Sequence, residues 1–278
     1  MKTIVVATDF SCSALNAINY AAELAAQTKA KLYLFHAFQL SIHASNTLIT
    51  AKGINEMLEL CQQQLDVLAR QKSQHLNIET ETVIKSVALT EGLEELVRDV
   101  NADLVVMGMH QNDWGDRLFG NTTLSIMRNA NYPVLIIPEK MTFKRIEKIL
   151  FAHTPHYKAS DSKLLLLKEL AQKLEASVQV FHVEPYAEPA LTEKAMVLDL
   201  NVETALENVE HDYRDIYQKD VVEGIERGIA EYNADMLVAV PHKLELWKQL
   251  TKNSVTRRLA IEVPIPLLVL PVDLPDIS

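Results

Sequence analysis

The sequence has little of what many kinds of protein chemistry require. Its 278 residues hold only two cysteines, Cys12 and Cys61, with no paired spacing. That excludes a disulfide framework and a zinc–cysteine knot, and it suits a reducing compartment. No apolar run, Pro133–Pro138 among the longest, approaches the length of a bilayer span. The chain opens Met1-Lys2-Thr3-Ile4-Val5-Val6, straight into a strand-like run, without the zones of a secretory signal. The cytoplasm is the expected location. Basic residues are in the minority, 27 Lys and Arg against 37 Asp and Glu, for a formal charge of -10. An acidic surface argues against a nonspecific grip on nucleic acid or anionic membrane, so neither is expected as a partner. A small anion stays open, because backbone amides bind phosphate without basic side chains. There is no Gly-x-Ser-x-Gly elbow, His-Glu-x-x-His or Cys-x-x-Cys pair, full Walker loop or Rossmann fingerprint. Carboxylates such as Glu91, Glu94, Glu95, Glu223 and Glu226 fall on helix faces, which reads as solvated surface.

What is present is a globular core composition, 48% hydrophobic, in a chain long enough for two ordinary domains. Short apolar runs alternate with amphipathic helices. Thr3–Thr8, rich in Ile and Val, reads as a buried strand. Ser11–Thr28 carries Leu15, Ile18, Ala22 and Ala25 at helical spacing, with Ser11 or Ser13 as cap. Lys31–Phe38 is a second strand, Ala51–Gln71 a long helix and Asn77–Ile84 a third strand. Thr90–Val100 is a helix, Asp103–Gly108 a strand, Thr122–Ala130 a helix and Pro133–Ile137 a final strand. Such alternation implies a mostly parallel sheet covered on both faces.

The pattern then repeats. Lys148–Ala152 answers Ile4–Thr8, and Lys163–Leu174 answers the first helix. Phe181-His182-Val183 echoes Phe35-His36-Ala37. Ala234-Asp235-Met236-Leu237-Val238 echoes Ala102-Asp103-Leu104-Val105-Val106, and the run from Ile265 to Pro271 echoes Tyr132 to Pro138. Equal counts from Gly108 to Pro133 and from Pro241 to Pro266 support duplication. The join falls near Glu139–Arg145, giving domains 1–140 and 146–278. Glu184–Asp199 reads as a loop or short lid, and Asp215–Asp220 as a weak, short third strand of the second copy.

Ile4-Val5-Val6-Ala7-Thr8-Asp9-Phe10-Ser11, the run from Ala102 to His110 and the run from Asn131 to Pro138 together resemble the universal stress protein family, in both halves. The resemblance implies an α/β fold of two tandem, doubly wound, five-stranded parallel sheets. It also implies pairing of the two domains through their last strands, each otherwise an open edge. A further homodimer stays open. Some members of the family bind ATP through Gly, two residues, Gly, nine residues, then Gly with Ser or Thr, with an Asp after the first strand. The glycines let the backbone approach the phosphates. In the first copy the resemblance implies Asp9, Ala37, Gly108, His110, Gly120, Asn121 and Thr122 as the ligand residues. Gln111 replaces the second glycine, and the spacing to Gly120 is one residue short.

Each residue also has a plain structural reading: Asp9, Asn121 and Thr122 as helix caps, Gly108 as a tight strand exit. What sets them apart is co-location, because the ends of the first and fourth strands adjoin at the crevice of such a sheet. In the second copy His153 is read in place of Asp9, Pro241 in place of Gly108 and Asn253-Ser254 in place of the last glycine pair, which argues against ATP there. His153, His156, His182 and His242 are expected near one sheet edge. They are a candidate metal or anion cluster, although the plain reading is four unrelated histidines. The expected function is that of a non-enzymatic stress-response protein, with an adenine nucleotide in the first domain as regulatory ligand. The alternatives are a nucleotide-free scaffold for an unknown protein partner, or a weak ATPase.

Overall fold

The computed structural model describes residues 1–39, 50–109, 123, 125–127, 130–153, 161–185, 200–240 and 255–271. Strand β1 (Thr3–Ala7) is β-branched and fully buried from Ile4 to Val6, as a central strand must be. Helix α1 (Cys12–Thr28) follows; its cap is Ser11, whose Oγ accepts from Ala14 N at 3.3 Å. Strand β2 (Lys31–Ala37), helix α2 (Ala51–Leu76), strand β3 (Thr80–Lys85), helix α3 (Leu89–Val100), and strands β4 (Leu104–Met109) and β5 (Val134–Pro138) follow in the first half, with helical residues also at 123 and 125–127. The second half runs β6 (Lys148–Ala152), α4 (Asp161–Leu174), β7 (Ser177–Glu184), α5 (Leu200–Ala205), β8 (His211–Tyr217), α6 (Val221–Tyr232), β9 (Met236–Ala239), α7 (Val255–Glu262) and β10 (Leu267–Val269).

The ten strands form one sheet in the order β3-β2-β1-β4-β5-β10-β9-β6-β7-β8. Each half is parallel throughout, and the halves meet where β5 pairs antiparallel with β10, Leu135 opposite Leu268. The two last strands therefore close each other's edges, as expected from the resemblance. Two apolar layers lie on opposite faces of the sheet, and each contains residues from both halves. Helix contacts lock the seam as well. Lys173 Nζ on α4 donates to the Met1 carbonyl at 2.6 Å and to the Thr28 carbonyl at 2.8 Å, capping the end of α1. Asn16 donates to the carbonyls of Pro138 and Met141, tying α1 to the join. Tyr20 packs edge-on to Phe143 at 4.8 Å, and burial pushes its hydroxyl pKa up.

The duplication extends to individual hydrogen bonds. Asp103 Oδ2 accepts from the backbone N of Lys2 and Thr3; Asp235 Oδ2 accepts from Glu147 and Lys148. The helices before them, α3 and α6, both end on an asparagine in the left-handed region, Asn101 and Asn233.

These bonds also fix the correspondence of the halves, and they shift two sequence pairings by one residue. Thr8 N donates to Phe35 O, as His153 N donates to Phe181 O. His153 therefore stands at the position of Thr8, not of Asp9. Val105 N donates to Pro133 O and Leu237 N to Pro266 O, so the counterpart of Gly108 is Val240 rather than Pro241. Equal residue counts between Gly108–Pro133 and Pro241–Pro266 concealed a one-residue difference within the intervening segments.

The third strand of the second half is β8, His211–Tyr217, a full strand that starts earlier than Asp215. Asp220 lies outside it and caps α6. In the first half, α2 runs on to Leu76, past the expected Gln71, and β3 begins at Thr80 rather than Asn77.

Candidate functional site

In the first half the chain runs from β1 outward to β2 and β3 on one side, and β4 lies on the other. The ends of β1 and β4 thus flank the switch point, where an open α/β sheet leaves a crevice. A cleft of about 600 Å³ sits there, within the range of roughly 300–1,000 Å³ usual for small-molecule sites. Asp9, Ala37 and Gly108 all line it. Three of the expected ligand residues are therefore brought together. The other four, His110, Gly120, Asn121 and Thr122, lie outside the described residues.

The loop after β1 is held by its own polar groups. Thr8 Oγ1 accepts from Phe10 N at 3.0 Å, and Asp9 Oδ1 accepts from Ser11 N at 3.0 Å. Phe10 takes a left-handed backbone, with φ of 63°, which turns the chain sharply into α1. Its ring rests on His36 at 4.8 Å. His36 in turn donates from Nδ1 to the Thr8 carbonyl at 2.8 Å; a carbonyl only accepts, so Nδ1 carries the proton. Asp9 is exposed, and it is the only carboxylate or cation among the described lining residues. The bond from Ser11 engages one oxygen and leaves acceptor capacity on the other.

Gly108 is required by close approach. A Cβ there would lie 2.2 Å from the Ser13 carbonyl oxygen and 2.9 Å from Ala14 N, both backbone atoms of α1. Glycine lets the first turn of α1 press against the end of β4, and Ser13 and Ala14 join the cleft wall.

The far wall was not foreseen from sequence. It includes Ala88, Leu89 and Thr90, at the start of α3, and Thr123 and Ser125. Ala88 occupies the cap position of α3 with φ -60° and ψ 144°, yet it has no side chain that can cap. Ala88 therefore offers the first amides of α3 no side-chain acceptor at the edge of the cleft.

The second half answers this wall with charge. Gly92 N donates to Ala88 O, and Gly224 N donates to Asp220 O, so Asp220 stands where Ala88 does. Ala130 N donates to Ile126 O, and Val263 N to Leu259 O, so Arg258 stands where Ser125 does. Asp220 Oδ1 accepts from Val222 N at 2.9 Å and Glu223 N at 3.3 Å, capping α6. Arg258 donates from Nη1 to both oxygens of Asp220, at 3.0 and 2.7 Å, and from Nε and Nη2 to Glu262. The Arg258 guanidinium, followed by the α6 amides, holds the Asp220 carboxyl below the usual range. Two residues that would line a crevice of the second half are therefore spent on each other. The sequence signal available was Asp220 before Val221-Val222, a helix-cap pattern that Ala88 lacks. Nothing in the sequence pairs Asp220 with Arg258.

Of the four histidines, His182 donates from Nδ1 to the His153 carbonyl at 3.1 Å, repeating the His36–Thr8 bond. The His153 ring packs on Phe151 at 5.5 Å. His156 and His242 lie outside the described residues. Among the described residues no group of three or more His, Cys, Asp or Glu is arranged to hold a metal ion, and no helix is long and apolar enough to cross a membrane.

This geometry, a tandem α/β sheet with a crevice at the switch point, has relatives. The model of the universal stress protein family matches residues 1–138 and again 146–271. The chain belongs to the universal stress protein family, as a tandem two-domain member. Among solved structures it is similar to a universal stress protein from Archaeoglobus fulgidus DSM 4304. That similarity has a TM-score of 0.77 at 16% identity and covers 96% of this chain and 97% of that one. It is also similar to a putative universal stress protein from Pseudomonas aeruginosa UCBPP-PA14, with a TM-score of 0.58 at 14% identity, covering 98% and 94%. At these identities the likeness speaks for the fold. Among curated proteins, no sequence matches this chain.

Proposed function

We propose that the protein binds one adenine nucleotide per chain, in the first-half cleft, as a regulatory ligand that it does not turn over. The observation that carries this reading is the inequality of the two crevices. In the second half the start of α6 is satisfied by the chain's own carboxylate, Asp220, itself neutralised by Arg258. In the first half the same two positions hold Ala88 and Ser125, and the start of α3, to which Ala88 gives no side-chain cap, borders an open cleft. A helix start favours an anion. A phosphate oxygen from outside supplies what Asp220 supplies in the second half. Asp9 then serves as an acceptor for hydroxyl or amine groups of the nucleoside, the role implied by the family resemblance. The choice of adenine rests on that resemblance alone.

A binding role suits this wall better than catalysis. Asp9 is the one carboxylate among the described lining residues, and its Oδ1 already holds the loop. The sequence favours a second reading at one point: Gln111 and the short spacing before Gly120 depart from the family's phosphate loop. A nucleotide-free scaffold for a protein partner follows from that departure.

One experiment separates the two. The purified protein is denatured and the supernatant assayed for adenine nucleotide, and the stripped protein is titrated with ATP and magnesium in a calorimeter. Bound nucleotide or a saturable heat, weakened in both Asp9→Ala and Gly120→Val, supports the proposal. No nucleotide and no heat leave the scaffold reading.

A further inference from the structure

Among the described residues, helix α2 is the longest and the least buried. Over its 26 residues only Leu65 and Ala69 are fully buried, against the edge of the sheet beside β3. The opposite face is exposed, yet it is not uniformly polar. Met57, Leu60 and Val67 are 42%, 64% and 45% exposed, three of the five large apolar side chains so exposed among the described residues. With Gln64 and Gln71 they form one stripe at positions 57, 60, 64, 67 and 71, and every residue of it is exposed. That spacing of three and four is the seam of a coiled coil. The residue just before each 57, 64 and 71 position flanks the seam. These residues are Glu56, Gln63 and Arg70, all exposed. Acid lies toward one end and base toward the other, with glutamine at the centre.

We propose that α2 pairs antiparallel with α2 of a second copy of this chain, about a two-fold axis near Gln62 and Gln63. The charge pattern selects this occupant. In the antiparallel arrangement Glu56 of each copy faces Arg70 of the other, giving two symmetric ion pairs, with Gln63 opposite Gln63. Met57 then meets Val67 of the second copy, and Leu60 meets Gln64. A parallel in-register pairing sets Glu56, Gln63 and Arg70 beside Cys61, Leu68 and His75 of the second copy instead, so neither Glu56 nor Arg70 gains an opposite charge. The helix as a whole is balanced, with Lys52, Arg70 and Lys72 against Glu56, Glu59 and Asp66, so the chain's net charge of -10 is not concentrated on this face. A helix of 26 residues is about 39 Å long, ample for several turns of such contact. This pairing is separate from the β5–β10 seam and joins two complete chains.

The test is oligomeric state, measured by sedimentation or light scattering on the full chain across a concentration series. The wild type is expected to show a monomer–dimer equilibrium. Leu60→Glu or Val67→Glu, with unchanged circular dichroism because both sites are exposed, is expected to weaken the dimer at least about tenfold by burying an unpaired charge. Glu56→Arg alone and Arg70→Glu alone are expected to weaken it by several-fold, and the double swap to recover it. A wild type that stays monomeric throughout overturns the proposal, as does a dimer indifferent to Leu60→Glu. Failure of the double swap to recover the dimer overturns the antiparallel register.

Discussion

Substituting Ala88 by Asp transplants the capping carboxylate of the second half into the first. The backbone already suits it: Ala88 is extended at the cap position, as Asp220 is at φ -95° and ψ 114°. A carboxylate there would reach the second and third amides of α3, as Asp220 reaches Val222 and Glu223 at 2.9 and 3.3 Å. Replacing Ala by a good cap residue stabilises a helix by about 1 kcal/mol, and the helix dipole adds a few tenths. For a chain of this size that is a rise of about 2–4 °C in Tm of the ligand-free protein. The same carboxylate would also sit where the proposal puts a phosphate. At a separation of about 6 Å and an effective dielectric near 40, two like charges repel by about 1.4 kcal/mol, or about tenfold in affinity. A doubly charged phosphate loses more. The expected signature is therefore opposed: Tm rises without ligand while nucleotide affinity falls at least about tenfold. Thermal denaturation and calorimetric titration of the same preparation read both. A fall in Tm would show that the start of α3 does not mirror that of α6. A rise in Tm with unchanged affinity would place the ligand elsewhere.

Other substitutions test other links. Gly108→Ala drives a Cβ to 2.2 Å from the Ser13 carbonyl, so α1 must retreat by about 1 Å; overpacking of this kind costs about 1–3 kcal/mol, and an unchanged Tm refutes the close approach. Asp220→Ala removes both a cap and an ion-pair partner, for a loss of about 1–2 kcal/mol near neutral pH. Because Arg258 depresses the Asp220 pKa below its ordinary 3.8, that stabilisation is present above this value and fades as the pH falls below it, through the folded pKa. The variant's deficit should shrink in step in acid denaturation, and a deficit constant with pH would remove the charge from the account. Lys173→Ala loses two charge-assisted bonds across the seam, and a drop of about 1–3 kcal/mol in unfolding free energy is expected by urea denaturation.

The strands whose burial makes them unbroken apolar runs were legible, from Ile4-Val5-Val6 to Leu267-Leu268-Val269, and so was the repeat that relates them. β8 was not. As an outer strand at the end of the sheet it is only partly covered, so His211-Asp212-Tyr213-Arg214-Asp215 carries polar residues on both faces and the period of two is lost. The alignment of the halves slipped by one residue at His153 and at Val240, because counting across a loop does not register which amide meets which carbonyl. At the site, Asp9, Ala37 and Gly108 were implied by the family resemblance, and the adjoining strand ends of such a sheet placed them together. Ala88 and Ser125 were not, because alanine and serine carry no chemical signal of their own. Their meaning comes from the comparison with Asp220 and Arg258, which are 38 residues apart in sequence and meet only in the fold.

On the proposed function, one crevice of the pair is open to a nucleotide and the other is closed by the chain's own Asp220 and Arg258. The most direct test is the stoichiometry of ATP binding to stripped wild-type protein, by calorimetry with magnesium present. One nucleotide per chain is expected, still one in Asp220→Ala, and one bound at least about tenfold more weakly in Ala88→Asp. Two per chain in the wild type, or none, contradicts it.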